Sequence, residues 1–232
     1  RQPINLRRAI ISRFGDSLRA NSAVIADVLV RDLGKPLRDT DDELRRTLGH
    51  LEAALTLKDR ETIEPGATIS YQPHGVVAIV TPWNNPVAIP VGKFAAALLL
   101  GNGVVWKPAI QADSISRRLL ALLRESGVPD DLIQLVNGGP AEVAELVAHG
   151  QVNAVSLTGS ERAGRAVAAI CRSAGKPLQA ELGGNNALLV MADADIQGQV
   201  ASWVRMAFGF AGQRCTAIRR FVVERAVLEH FE

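Results

Sequence analysis

The sequence predicts an α/β protein: a doubly wound parallel sheet followed by the start of a second α/β domain. Three observations carry this reading. Between residues 76 and 175, short apolar runs alternate with longer segments of helical periodicity. The run "VVAIV" (76–80) is apolar at every position, as expected of a strand covered on both faces. Finally, 47% of the 232 residues are apolar while only 4% are aromatic, which suits close packing of helices on a sheet and a sizeable core.

The elements follow in order. Leu6, Ile10, Ile11, Phe14 and Leu18 recur at helical spacing. Asn21 is placed to cap a second helix that ends at Gly34, ahead of Pro36. A third, highly charged helix is expected from about Thr40 to Lys58, and Pro65-Gly66 marks a turn. "TISYQPHG" reads as an edge strand or ribbon broken by Pro73. After the strand at 76–80 come a helix (87–100), a strand (103–107), a helix (113–127) and a strand (132–136). A helix (140–150), a strand (153–157) and a helix (160–175) complete the series. Right-handed crossovers put the strand C-termini on one edge, where ligands bind in such sheets. Beyond Glu181, "ALLVM", a helix at 195–212 and "FVV" begin the second α/β domain.

Composition excludes several classes. The net charge is +2, and the basic residues of the first 60 positions alternate with acids, which reads as solvated helix faces. No basic stripe with interleaved aromatics is present, so nucleic acid is not an expected partner. No apolar run is long enough to span a membrane, and no signal peptide opens the chain. The two cysteines, Cys171 and Cys215, lie far apart without CxxC or CxxH, so neither a metal site nor a disulfide framework is expected. A reducing, cytoplasmic setting fits. The chain begins at Arg1 without Met and stops just after an apolar strand pattern, so a fragment of a longer protein is expected.

Four stretches stand at expected strand ends. In "TPWNNP" (81–86), two prolines stiffen a loop around Asn84, whose amide can donate to a developing oxyanion; a plain turn would use the same residues. In "WKPA" (106–109), Lys107 is placed to hold ribose hydroxyls or phosphate, or simply to be solvated. In "LTGSERAG" (157–164), Gly159 allows close backbone approach and Ser160 opens a helix whose first-turn N–H groups suit a pyrophosphate; the GxGxxG fingerprint is absent. In "QAELGGNNALLV" (179–190), Glu181 at an apolar strand end is a candidate general base, or a turn glutamate facing water. A fifth stretch, "FAGQRCTAIRRF" (210–221), holds Cys215 with Arg214, Arg219 and Arg220 near it in sequence. Nearby cations activate thiols, whereas free cysteines are often only small buried hydrophobes.

Taken together, "PWN", "KPA", "TGSxxxG", "ELGG" and "GQRCT", in this order, resemble the aldehyde dehydrogenase superfamily over essentially the whole chain. Relative to that family's full pattern, the N-terminal strands and most of the catalytic domain are missing. The resemblance implies that residues 1–181 are a dinucleotide-binding domain with N-terminal helices, and that 182–232 begin the catalytic domain. It implies Cys215 as the nucleophile, Asn84 as an oxyanion donor and Glu181 as the base that activates water toward a thioester. It implies cofactor contacts from Trp83, Lys107, Gly159, Ser160, Gly164 and Leu182, and a proton-relay role for Lys93, nine residues after Asn84. A glutamate at 181 favours water over coenzyme A as acyl acceptor. The implied partner is a small aldehyde, and a full-length parent is expected to be a homo-oligomer.

Two departures matter. NAD-preferring members often carry glutamate three residues after the "KPA" lysine; here that residue is Ile110, so NAD or NADP is the expected cofactor with a lean to NADP. The family's second glutamate, in a downstream phenylalanine-glycine motif, has no counterpart in this sequence. "GGNNALLV" and "AGQRCTAIRR" are similar to the branch acting on semialdehydes such as succinylglutamate semialdehyde. Two other readings stand beside the enzyme. One is a nucleotide-binding fragment or remnant without turnover. The other is a thiol esterase or acyltransferase, for which none of His50, His74, His149 and His230 has a supporting motif.

Overall fold

A computed structural model describes residues 2–232; Arg1 lies outside them. The chain divides into two compact units, one running through Glu181 and the other from Leu182 to Glu232. Among the described residues, no helix is long and apolar enough to cross a membrane.

The first unit opens with three helices, α1 (Ile4–Ala20), α2 (Ser22–Leu33) and α3 (Leu37–Leu55). Gly34 ends α2 in the left-handed region (φ 62°), and the Gly34 and Lys35 amides return to Val30 and Leu29. That is a Schellman closure, which a side chain bearing Cβ would strain. Asn21 does not cap α2 through its side chain. Its Nδ2 donates back to the Ser17 carbonyl at 2.8 Å, so the expected cap is replaced by a tie onto the end of α1. The third helix starts three residues earlier than expected, directly after Pro36, and stops at Leu55. A strand the sequence reading lacked, β1 (Arg60–Glu64), pairs antiparallel with β2 (Ala67–Ser70) around Pro65-Gly66. "RETIE" has no apolar run to reveal it.

The sheet follows: β3 (Val76–Thr81), α4 (Ala88–Leu99), β4 (Gly103–Pro108), α5 (Asp113–Glu125), β5 (Ile133–Leu135), α6 (Pro140–Ala148), β6 (Ala154–Gly159), α7 (Glu161–Ser173) and β7 (Leu178–Leu182). The strand order is β5-β4-β3-β6-β7. β3 runs parallel to both β4 and β6, with Val77 opposite Val104 and Ala154. β7 is a fifth, edge strand where the sequence reading located only a strand end; most of its residues are exposed.

Alternation along β3 shows why "VVAIV" is apolar throughout. Val77 and Ile79 face a core built with α1 to α5, while Ala78 and Val80 are buried outside that cluster, on the face where α6 and α7 pack. Rings link the layers: Phe14 and Phe94 lie 6.0 Å apart, and Phe94 meets Trp106 edge-on at 5.5 Å. Each such pair adds about 0.5–1.5 kcal/mol beyond its buried area.

The second unit holds β8 (Asn186–Val190), α8 (Ile196–Phe208), a 3-10 turn (Gly209–Gly212), β9 (Ile218–Val223) parallel to β8, and the short α9 (Leu228–Phe231). Asp195 caps α8 by accepting from the Gly198 amide at 3.0 Å. Trp203, Phe221 and Phe231 pack together with centroids 5.4–6.5 Å apart.

Candidate active site

In the first unit the sheet order sets the site. From β3 the chain steps outward through β4 and β5, then returns to build β6 and β7 on the other side. The segments after β3 and β6 therefore leave in opposite directions, which opens a crevice at the carboxyl edge. Pro82 to Asn84 follow β3, Lys107 is the penultimate residue of β4, and Gly159 ends β6.

The loop after β3 is held from beneath by an ion pair. The Lys35 ammonium donates to the Glu43 carboxylate, to the Asn84 carbonyl at 2.8 Å and to Asn85 Oδ1 at 3.0 Å. Glu43 Oε1 accepts from the Val87 and Ala88 amides at 2.8 and 3.0 Å, at the start of α4. Both charged side chains are buried. Burial pushes the Lys35 pKa down, and Glu43 pulls part of that shift back. Asn84 and Trp83 are half-buried in the clamped loop, and Asn84 Oδ1 accepts from the Asn85 amide at 3.0 Å.

Lys107 is buried, with 8% of its surface exposed, so the solvated-lysine alternative does not hold. Burial lowers its pKa, and Glu142 offsets part of the effect. Glu142 itself is held below the usual carboxylate range by backbone N–H donors, including Gly139 at 2.6 Å. Ser160 caps α7 by accepting from the Ala163 amide at 3.2 Å, as expected of a helix opening at a strand end. Gly164 is buried on α7, and Ile110 is 63% exposed just beyond β4.

Glu181 lies on the exposed strand β7, so the apolar strand end expected for it is corrected: an edge strand leaves it facing solvent. It is nevertheless tied into a network. Lys93 on α4 donates to Ser156 Oγ at 2.7 Å and to Gln179 Oε1 at 2.6 Å, Ser156 Oγ pairs with that same oxygen at 2.5 Å, and Gln179 Nε2 donates to Glu181 at 3.1 Å. Burial lowers the Lys93 pKa to about 8, partly opposed by Glu181.

In the second unit, Cys215 is exposed in a turn between the 3-10 segment and β9, so it is not a packing cysteine; Cys171, on α7, is buried. Burial raises the Cys171 thiol. The approach to Cys215 is strained: Phe210, Ala211 and Gly212 all take positive φ (49°, 52° and 68°). Asn186 Nδ2 donates to the Cys215 carbonyl at 2.6 Å and to the Ala217 carbonyl at 3.1 Å, tying the turn to β8. Arg214 and Arg219 direct their Nη2 atoms at backbone carbonyls of Arg205, Met206 and Gly212. Leu182, the first residue of this unit, is half-buried.

Asn84, Trp83, Lys107, Gly159 and Ser160 thus gather at one sheet edge, and Lys93 reaches Glu181 through Gln179. Lys35, Glu43, Ser156, Gln179 and Asn186 escaped the sequence reading. For Lys35 a signal existed, a lysine directly before the proline at a helix start, but charges there read as solvated.

Comparison with known proteins adds the lineage. A family model described as the aldehyde dehydrogenase family matches residues 1–232. An N-succinylglutamate 5-semialdehyde dehydrogenase from Sphingopyxis alaskensis is 32% identical over 98% of this chain and 49% of its own. An aldehyde dehydrogenase structure from Bartonella henselae superposes with a TM-score of 0.93 at 28% identity, over 99% of this chain and 50% of that one. A 3,6-anhydro-L-galactose dehydrogenase solved in complex with NAP gives 0.92 at 31% identity, over 100% and 50%. The chain spans about half the length of the curated relatives it matches.

Proposed function

The chain belongs to the aldehyde dehydrogenase family, and from that premise we propose that it serves the NAD(P)-dependent oxidation of an aldehyde to a carboxylic acid. The observation that carries the proposal is Cys215, exposed in a turn that follows the left-handed residues Phe210 and Ala211. In a family of aldehyde oxidoreductases, an exposed thiol whose backbone carbonyl is tied down by Asn186 supports a nucleophile over a packing residue.

The carboxyl edge of the first unit fits a dinucleotide. It offers a buried lysine, a glycine strand end and a capped helix start, the donor set that diphosphate and ribose require. Lys107, Gly159, Ser160 and Gly164 would hold it, with Trp83 as an apolar wall. Residues through Glu181 form the cofactor domain in this reading, and Leu182 onward begins the catalytic one. A bound nicotinamide dinucleotide would supply hydride-acceptor chemistry at this edge.

The remaining steps belong to the protein. The Cys215 sulfur attacks the aldehyde carbon and the carbonyl oxygen becomes an oxyanion, which the Asn84 amide and the Cys215 backbone N–H steady. Glu181 takes a proton from water, which attacks the thioester carbon and releases the acid and the thiol. The semialdehyde relative in Sphingopyxis alaskensis supports a semialdehyde, an aldehyde with a distant carboxylate, as the substrate class. Ile110 places no carboxylate against a 2′-phosphate, which supports NADP over NAD.

The test is aldehyde-dependent formation of reduced cofactor by the chain and by Cys215→Ala, with both cofactors. Activity lost in the variant is expected, and equal rates would reject the reading. Ile110→Glu is expected to turn the preference toward NAD. A second reading is cofactor binding without turnover, supported by Lys107, Gly159 and Ser160 at the sheet edge of the first unit. Calorimetric binding of NADP with no turnover in any aldehyde would select it.

A further inference from the structure

Gln179 does work that the steps above leave unassigned. Exposed glutamines ordinarily keep their rotamer freedom. This one is held at both ends. Its Oε1 accepts from the Lys93 ammonium at 2.6 Å and lies 2.5 Å from Ser156 Oγ, while its Nε2 donates to Glu181 at 3.1 Å. Among uncharged side chains only an amide accepts strongly with one terminus and donates with the other. A carboxylate at 179 would hold Lys93 but repel Glu181, and an aliphatic chain would hold neither.

We infer that Gln179 is a positioning residue that links Lys93 to Glu181 and holds the carboxylate proposed as the base on the side of that amine. The inference rests on the proposed role of Glu181 for its meaning, though not for its test. The charged group that acts on Lys93 is Glu181, from β7; from β6 it meets the neutral Ser156 hydroxyl. On the α3 side of α4, His50 Nδ1 pairs with the Ala88 carbonyl at 3.1 Å.

The experiment follows the Lys93 side chain by NMR across pH in lysine-labelled chain, without aldehyde or cofactor. Four proteins are compared: wild type, Glu181→Gln, Gln179→Leu and the double variant, with Gln179→Ala as a second form should Gln179→Leu fold poorly. In wild type, Glu181→Gln is expected to lower the Lys93 midpoint, because it removes the carboxylate that favours the ammonium. In the Gln179→Leu background the same change is expected to move it clearly less. A shift of equal size in both backgrounds, or none in wild type, overturns the inference. Because nothing is turned over, failure of the oxidoreductase reading in the Cys215→Ala assay leaves this result intact, and the reverse holds as well.

Discussion

The Lys35 ammonium and the Glu43 carboxylate pair with side-chain exposures of only 1% and 0%, directly beneath the loop that carries Asn84. A buried pair of this kind is weak support for stability in itself, since each ion gave up its hydration. What it contributes is direction: three separate backbone groups of residues 84–88 are fixed by two side chains.

Removing one partner is therefore expected to be severe. Glu43→Ala leaves the buried Lys35 with its Asn84 and Asn85 acceptors but without the Glu43 carboxylate, and it orphans the Val87 and Ala88 amides. Urea unfolding should show a loss of about 3–5 kcal/mol. Lys35→Met combined with Glu43→Gln removes both charges and keeps an acceptor for the amides, so it should lose far less. Equal losses in the two proteins would contradict this account.

Lys93 makes stability depend on pH in a definite direction. Its pKa falls from 10.5 to about 8 on folding, so between those values the unfolded chain binds more protons than the folded one. Stability contributed at this position is therefore lowest below about pH 8 and rises as pH climbs toward 10.5. Lys93→Met lacks this titration. The unfolding free energy of Lys93→Met minus that of wild type should fall over that interval, and a value that stays flat or rises would count against it.

The sequence revealed some of this and concealed the rest for physical reasons. Continuous burial made β3 legible, since a strand covered on both faces has only apolar positions. Strands β1 and β7 were not legible as strands, because exposed ribbons and edges place no demand on hydropathy. The sheet-edge residues Asn84, Lys107 and Ser160 were legible because proline, glycine and caps punctuate strand ends. Their supports were not: Lys35 and Gln179 act across 49 and 86 residues of sequence, on Asn84 and on Lys93. Charge in a helix gives no sign of which face it occupies.

The turn before Cys215 offers a test of strain. Ala211 holds φ 52°, and a left-handed residue with Cβ costs about 1–2 kcal/mol, so Ala211→Gly should be neutral to stabilising by up to about 1 kcal/mol. Gly212→Ala should destabilise by about 1–2 kcal/mol or more, since its Cβ would also stand 3.0 Å from the Ala207 carbonyl oxygen. Thermal unfolding of the two variants should move in opposite directions or, at the least, only the second should fall.

Asn186 ties that turn to β8, so Asn186→Ala should loosen it locally. Amide hydrogen exchange in residues 214–217 is expected to quicken several-fold, with β3 in the other unit unchanged. Quickening spread evenly over both units would show instead a global loss of stability.

The central strand carries a consequence for the birth of the chain. β3 pairs on one side with β4 but on the other with β6, and the Val76 amide is held by the Asn153 side chain, 77 residues later. At roughly 5–20 residues per second, a ribosome needs about 4–15 s to make that stretch. For that interval an apolar strand waits with one open edge, so the window for mispairing with a neighbouring nascent chain is set by translation speed and closes when β6 emerges.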